Sequence, residues 1–304
     1  MSNNVIIIGA GPAGLTAAIY LGRSGIKSTV ITGDSPGGQL AKTGLVENYP
    51  GFAKPILGSD LMAQMMEQTT NFGAEFLYDT VSCITNSLTS STVVFDTGNS
   101  LTGDALLIAT GCSNNKLNIP GETEFSRKGV SWCATCDGPL FRNKKVAVIG
   151  GGNSAIMEAL FLSNFASEVL LVHRRDELRA DKHEQEKLFK NPKIRCIWNS
   201  EVTEILGSTK VESIEIFDKQ SKSRKIEIID GIFIAIGNHP ATSFVKGLID
   251  LDSDGYIIAD KTKTSVHGIY AAGDIVSGAI KQAVYAAGQG ALAARMIEKQ
   301  LGIG

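Results

Sequence analysis

Val5-Ile6-Ile7-Ile8-Gly9-Ala10-Gly11-Pro12-Ala13-Gly14 returns further along the chain as Val146-Ala147-Val148-Ile149-Gly150-Gly151-Gly152-Asn153-Ser154-Ala155. Each copy is a short apolar run, a glycine turn and then a helical pattern, which runs through Leu21 in the first and Leu162 in the second. An apolar run of that length bounded by turn signals is the pattern of a strand buried on both faces. A second echo links Ala105-Leu106-Leu107-Ile108-Ala109-Thr110-Gly111 with Gly231-Ile232-Phe233-Ile234-Ala235-Ile236-Gly237, each preceded by an aspartate, Asp104 or Asp230. Two related dinucleotide-binding domains account for both echoes with one assumption.

The glycines have a physical purpose. In a strand–turn–helix of this kind the first allows the tight turn and the second lets a pyrophosphate approach the backbone. The third lets helix and strand pack closely, while the helix N-terminus supplies N–H donors and partial positive charge. One such turn alone is a weak signal, since glycine turns are common. Two at equivalent places in a repeat are a strong one.

The remaining punctuation divides the chain. Cys112-Ser113-Asn114-Asn115-Lys116 with Asn118-Ile119-Pro120-Gly121, and Asn238-His239-Pro240-Ala241-Thr242, are polar, turn-rich links. Residues 115–242 are therefore expected to form a domain inserted between 1–114 and 243–304, which rejoin as one. The chain has 304 residues, with 43% hydrophobic and 20% charged side chains, ordinary for a globular enzyme. A net charge of -2 gives no reason to expect a nucleic acid partner. Five cysteines with one close pair do not make a secreted disulfide framework, and a reducing, cytoplasmic setting is expected. Val5 to Gly22 is uncharged and long enough to raise a membrane span. Its start lacks the basic residues of a signal peptide, and the Gly-Pro-Ala-Gly interruption suits a turn. No membrane association is expected.

The two fingerprints lead into different sequences. Glu168-Val169-Leu170-Leu171-Val172 runs into His173-Arg174-Arg175-Asp176, with Arg179 beyond. NAD proteins place an acid near this spacing, on the ribose 2′-hydroxyl, and an acid repels a 2′-phosphate. Arg174, Arg175 and Arg179 would pair with it instead, so NADPH is favoured. The plainer alternative is a solvated, charged helix start. After the first fingerprint comes Val30-Ile31-Thr32-Gly33-Asp34, then Gly37-Gly38-Gln39-Leu40, a loop whose backbone can approach a flat ligand. Gly268-Ile269-Tyr270-Ala271-Ala272-Gly273-Asp274 ends a buried strand in a carboxylate suited to a ribityl hydroxyl, or simply in a turn aspartate.

Trp132-Cys133-Ala134-Thr135-Cys136-Asp137 precedes the second fingerprint. Cys-x-x-Cys brings two thiols close enough to interconvert with a disulfide. Zinc needs further ligands in register, and Cys83, Cys112 and Cys196 stand alone, so no metal is expected. Those three are expected to be small buried hydrophobes. Asp137 suits proton transfer beside a thiolate, or is a surface aspartate. Hydride from nicotinamide, a flavin and a disulfide then form a natural order of parts. Nicotinamide and disulfide cannot both stack on one flavin, so the inserted domain is expected to swing between two poses.

Taken together the motifs GAGPAG (Gly9–Gly14), GGQL (Gly37–Leu40), VENYPG (Val46–Gly51), CATCDG (Cys133–Gly138), GGGNSA (Gly150–Ala155), HRRDELR (His173–Arg179) and AAGD (Ala271–Asp274) resemble the low-molecular-weight, bacterial-type thioredoxin reductases over essentially the whole chain. The resemblance implies an α/β fold of two Rossmann-like domains of the three-layer ββα type, the NADPH domain inserted in the FAD domain. It implies non-covalent FAD at Gly9, Gly11, Pro12, Ala13, Gly14, Gly37, Gly38, Gln39, Leu40, Asn48, Asp274, Lys281, Gln282 and Ala283. It implies NADPH at Gly150, Gly152, Asn153, Ser154, Ala155, His173, Arg174, Arg175 and Arg179. Cys133 would attack the disulfide of thioredoxin, Cys136 would face the flavin, and Asp137 would donate the proton, in a homodimer. Two positions depart from the pattern: Lys281 stands where the family usually has Arg, and Ala241 where it has Asn. Rival readings are a reductase of another thiol carrier, a flavin-dependent disulfide oxidase, which would not need Arg174 and Arg175, and a flavin-binding regulator with an idle cysteine pair.

Overall fold

The computed structural model describes residues 4–33, 36–87 and 89–303. Asp34 and the Met1-Ser2-Asn3 start lie outside them. In chain order the elements that position the site are β1 (Asn4–Ile8), α1 (Pro12–Arg23), β2 (Lys27–Ile31), β3 (Glu75–Leu77), β4 (Ala105–Ile108), β5 (Val130–Ser131) and α2 (Ala134–Asp137). They continue with β6 (Lys145–Ile149), α3 (Asn153–Leu162), β7 (Glu168–Val172), α4 (Lys182–Lys190), β8 (Ile194–Ile197), β9 (Gly231–Ile234), β10 (Ile269–Ala271) and α5 (Ala283–Gln300). The chain divides into two compact units, Met1–Ser113 with His239–Gly304, and Asn114–Asn238.

In the first unit a parallel sheet runs β10-β4-β1-β2-β3, with Ile7 opposite both Val30 and Leu107. Successive side chains of a strand point to opposite faces, and β1 uses both. Val5 and Ile7 join Leu15, Leu21, Leu61, Ala293 and Ile297 under the helices. Ile6 and Ile8 turn to the other side and join Ile84, Val93 and Phe95 of an antiparallel meander over 81–103. Three layers result: helices, parallel sheet, antiparallel sheet. Helices α1 and α5 cross so closely that a Cβ at Gly290 would overlap the Ala13 carbonyl.

The second unit repeats this plan. Its parallel sheet runs β5-β9-β6-β7-β8, with Val148 opposite Leu171 and Phe233. Val146 and Val148 pack on Ala155, Ile156, Ala159 and Leu162 of α3. Ala147 and Ile149 pack on Val202, Ile205, Ile214 and Ile216 of an antiparallel sheet spanning 200–228. The repeat read from the sequence is thus a repeat of a whole layered domain, and the α/β fold with two Rossmann-like domains is as expected.

The uncharged run from Val5 to Gly22 is a strand, a turn and all of α1 but its last residue. Among the described residues no helix is long and apolar enough to cross a membrane. The three lone cysteines are not buried as expected, and Cys83 is exposed. It sits in the strand Val81–Asn86, where Ile84 turns inward and the period of two sends its neighbour outward. Cys112 and Cys196 are half-buried free thiols, both pushed up to about 11 by burial.

Candidate active site

Both glycine turns are built alike. Gly9 (φ +113) and Gly150 (φ +155) adopt backbone that other residues avoid. A Cβ on Gly9 would overlap the carbonyl of Ala109, and one on Gly150 that of Ala235. Those carbonyls end the two strands of the second sequence echo, so strand, turn and echo form one repeated construction. Gly11 and Gly152 are the N-cap residues of α1 and α3, with nothing within 4 Å of a Cβ on either. No side chain caps either helix and no acid lies in either first turn. Pro12, which lacks an N–H, starts α1 where that donor has no helical partner. Open space over N–H donors, with no acid inside either first turn, fits a pyrophosphate at both turns.

The third position differs. In the first copy a Cβ on Gly14 would overlap the Gly9 carbonyl; in the second, Ala155 fits because Gly150 leaves room for its methyl. Alanine is worth about 1 kcal/mol more than glycine in a helix, but backbone overlap outweighs that gain. Gly14→Ala is therefore expected to lower the thermal unfolding midpoint by several degrees. An unchanged or raised midpoint in a thermal melt would show that the turn is not so tightly closed.

In the first unit Gly37, Gly38 and Gly273 lie beside the first turn. Gly37 (φ +83) donates its N–H to Ala10 at 3.1 Å, and a Cβ on Gly38 would meet only the Cα of Gly11, at 3.8 Å. Leu40 packs on the helical core. The amide of Gln39 donates to the Cys112 carbonyl at 3.4 Å, and that of Asn48 to the Gln282 side chain at 3.1 Å. Gly273 lies against Ala13, so Asp274 follows directly beside the fingerprint helix. Burial pushes the Asp274 carboxyl up, with Lys281 opposing. Lys281 donates to the Tyr256 hydroxyl at 2.9 Å and lies 5.0 Å from that ring's centre. Gln282 occupies the N-cap position of α5 without a side-chain capping bond, and Ala283 begins the helix.

In the second unit the ring of His173 lies under the glycine turn, where a Cβ on Gly151 would collide with it. It is buried, edge-on to Trp198, and its Nε2 has no hydrogen-bond partner. Burial first, then Arg179, Arg175 and Arg174, hold its pKa below the usual imidazole value. Arg174, Arg175 and Arg179 are exposed, while Leu178 and Ala180 between and beyond them anchor in the core. Two links fasten this arginine loop to the glycine turn. The Arg179 N–H donates to the Gly151 carbonyl at 2.8 Å. Asn153 donates to the Asp181 carboxylate at 3.0 Å and accepts from the Asp181 N–H at 2.8 Å. Ser154 is exposed at the start of α3. Asp181, at the N-cap of α4, makes no capping bond to its own helix.

Cys133 and Cys136 form a disulfide, with Cα atoms 5.3 Å apart. Their turn is held at both ends. Ala134 is buried against the α3 core, and Phe141 stands edge-on to Phe233 at 5.3 Å. Thr135 and Leu140 are exposed. The sulfur of Cys133 accepts the Cys136 N–H at 3.1 Å, which gives negative charge on that sulfur a donor once the bond opens. Burial pushes the Asp137 carboxyl up, opposed by a 2.6 Å bond from the Ser131 hydroxyl. Ser131 and Asp181 were not legible as site residues. Among the described residues no cluster of three metal-ligating side chains occurs.

A model of the family described as pyridine nucleotide-disulphide oxidoreductase matches residues 3–290. The chain is 47% identical over 306 residues to a thioredoxin reductase of Rickettsia felis, covering 99% of both. It is 45% identical over 294 residues to one of Streptomyces coelicolor, covering 96% of this chain and 91% of the relative. The crystal structure of thioredoxin reductase from Streptococcus pyogenes matches with a TM-score of 0.95 at 38% identity, over 99% of both chains. Two glycine turns of one design, a half-buried disulfide and these likenesses agree. The chain belongs to the pyridine nucleotide-disulphide oxidoreductase family and, within it, to the thioredoxin reductases.

Proposed function

We propose that the chain passes electrons from NADPH, through FAD and the Cys133–Cys136 disulfide, to oxidised thioredoxin. The family implies a flavin and a nicotinamide cofactor. The first unit suits FAD, through Gly9–Gly14, Gly37–Leu40, Asn48, Asp274 and Lys281–Ala283. The second suits NADPH, through Gly150–Ala155 and the arginine loop, with His173 supporting the turn from below. A homodimer working in the cytoplasm completes the reading. The observation that carries it is the disulfide in the same unit as a glycine turn tied to three exposed arginines.

Bound flavin and NADPH would supply the electron pair, and the chain's residues handle sulfur and proton. The sulfur–sulfur bond takes two electrons and opens. Cys136, which would be the flavin-side sulfur, is left as a thiolate, and the Cys133 sulfur takes a proton from Asp137. Cys133 returns the proton to Asp137 and attacks the disulfide of thioredoxin as a thiolate. Cys136 then attacks the Cys133 sulfur of the mixed disulfide, and the two released thioredoxin thiolates take protons from water. Reduced thioredoxin leaves and the Cys133–Cys136 bond is restored. Turnover of NADPH by the protein with oxidised thioredoxins of the same cell tests this; absence of turnover with any of them would favour another thiol carrier.

No side-chain pattern provides a covalent flavin linkage, and the site is a set of backbone turns and hydrogen bonds. Purified protein is expected to be yellow, and acid or heat is expected to release all of the colour into the supernatant. Colour remaining on the denatured chain would refute non-covalent FAD.

A further inference from the structure

Ser131 lies on β5, two residues before Cys133, and only 5% of it is exposed. A serine hydroxyl has one hydrogen and two lone pairs; here one lone pair has a donor, and the hydrogen has a choice of acceptors. Its oxygen accepts the Cys133 N–H at 3.1 Å. Its hydrogen has two possible acceptors, Asp137 Oδ2 at 2.6 Å and the Cys133 carbonyl at 3.4 Å. The shorter bond wins while Asp137 is a carboxylate.

We propose that Ser131 is the positioning residue of the proton transfer: its hydroxyl joins the Asp137 carboxyl to the backbone of Cys133 and serves that carboxyl in both of its protonation states. With Asp137 ionised, Ser131 donates to it. With Asp137 protonated, the acid hydrogen goes to the Ser131 oxygen and the serine hydrogen turns to the Cys133 carbonyl. The proposal rests on Asp137 being the proton donor. In that step the disulfide takes two electrons and opens, the Cys133 sulfur leaves as thiolate, and Asp137 gives it a proton. The serine hydrogen then moves from the Cys133 carbonyl to the new carboxylate. When Cys133 is deprotonated to attack, each movement reverses. A buried carboxyl without this partner would face low dielectric in its charged state and lose a donor to it.

Few other charges bear on Asp137. Helix α3, packed on α2, carries one titratable side chain, Glu158. It is itself pushed up to about 7 by burial, with one carboxylate oxygen that has no partner. Strand β5, its neighbour β9 and the 3-10 turn Gly138–Phe141 carry none. Burial raises Asp137 and the Ser131 bond lowers it, so removing the hydroxyl leaves burial unopposed.

The test compares S131A, S131T and D137N. The carboxyl C=O stretch of Asp137, identified by its loss in D137N, is titrated by infrared difference spectroscopy, and thioredoxin reduction is followed against pH. In S131A the infrared midpoint is expected to rise by about one pH unit, the amount by which a hydrogen bond to the charged carboxylate exceeds one to the neutral acid. The high-pH decline of thioredoxin reduction should move up with it, while S131T, which keeps the hydroxyl, stays with the native protein. Flavin absorbance per chain checks that each variant is folded. An unmoved midpoint in S131A, or an equal rise in S131T, overturns the proposal. Native rates in D137N would instead overturn the role of Asp137, whatever Ser131 does to its titration.

Discussion

Replacing either Cys133 or Cys136 with serine is expected to lower NADPH-dependent thioredoxin reduction by about a thousandfold or more, the scale of losing a nucleophile that works as a unit with its partner. The two variants should differ in what they trap. Cys133 alone has the backbone donor, the Cys136 N–H at 3.1 Å, and a serine at 136 keeps that N–H. The Cys136→Ser variant therefore retains a sulfur that can carry negative charge and attack. Mixed with a thioredoxin lacking its resolving cysteine, it is expected to accumulate a mixed disulfide through Cys133, visible as a reducible heavier band. Cys133→Ser should form little. Neither sulfur lies on the route from NADPH to flavin, so bleaching of the yellow colour by NADPH without oxygen is expected in both. Trapping through Cys136 would reverse the assigned roles. Full turnover in both variants would remove the disulfide from the mechanism altogether.

Legibility in the sequence depends on whether a role is local. Strands β1 and β6 are readable because parallel strands covered on both faces must be apolar throughout, and Val5–Ile8 and Val146–Ile149 are. Gly9 and Gly150 are readable because only glycine takes their φ beside a carbonyl. The antiparallel layers are readable only where inward and outward positions alternate, as in Ser91–Phe95 and Ile214-Glu215-Ile216. In Val81–Asn86 only Ile84 is buried, too little alternation to mark a face, and the exposure of Cys83 is hidden with it. The bond between Asn153 and Asp181 joins residues 28 apart through a fold-dependent approach, and neither residue type announces it. Ser131 is silent for another reason. A serine in a strand before a tryptophan is chemically ordinary, and only its three neighbours at 2.6 to 3.4 Å make it matter. His173 stands out by its place in HRRD, yet its ring lies beneath Gly151, where no spacing rule could put it.

The arginine loop gives the second large effect. Arg174 and Arg175 are exposed, and the loop is held by bonds that use neither guanidinium: Arg179 N–H to Gly151, Asn153 with Asp181, and Gln185 to the Ala180 carbonyl at 2.7 Å. Neutral replacements at 174 and 175 should therefore remove charge without moving the loop. Charge-assisted hydrogen bonds are worth about 1.5–3 kcal/mol each, and exposed ion pairs only about 0.2–1. A dianionic 2′-phosphate held by two forked guanidiniums lies nearer the first range than the second. The NADPH-over-NADH ratio of kcat/KM is accordingly expected to shrink by about a hundredfold in Arg174→Gln/Arg175→Gln, nearly all of it through KM for NADPH, with NADH little affected. Because both arginines are exposed, added salt should erode the native preference as well, and the double variant should have lost most of that salt dependence. A native enzyme indifferent to the 2′-phosphate, or a double variant that keeps its preference, would mean that the phosphate is held elsewhere and that the tethered loop serves only to brace the glycine turn.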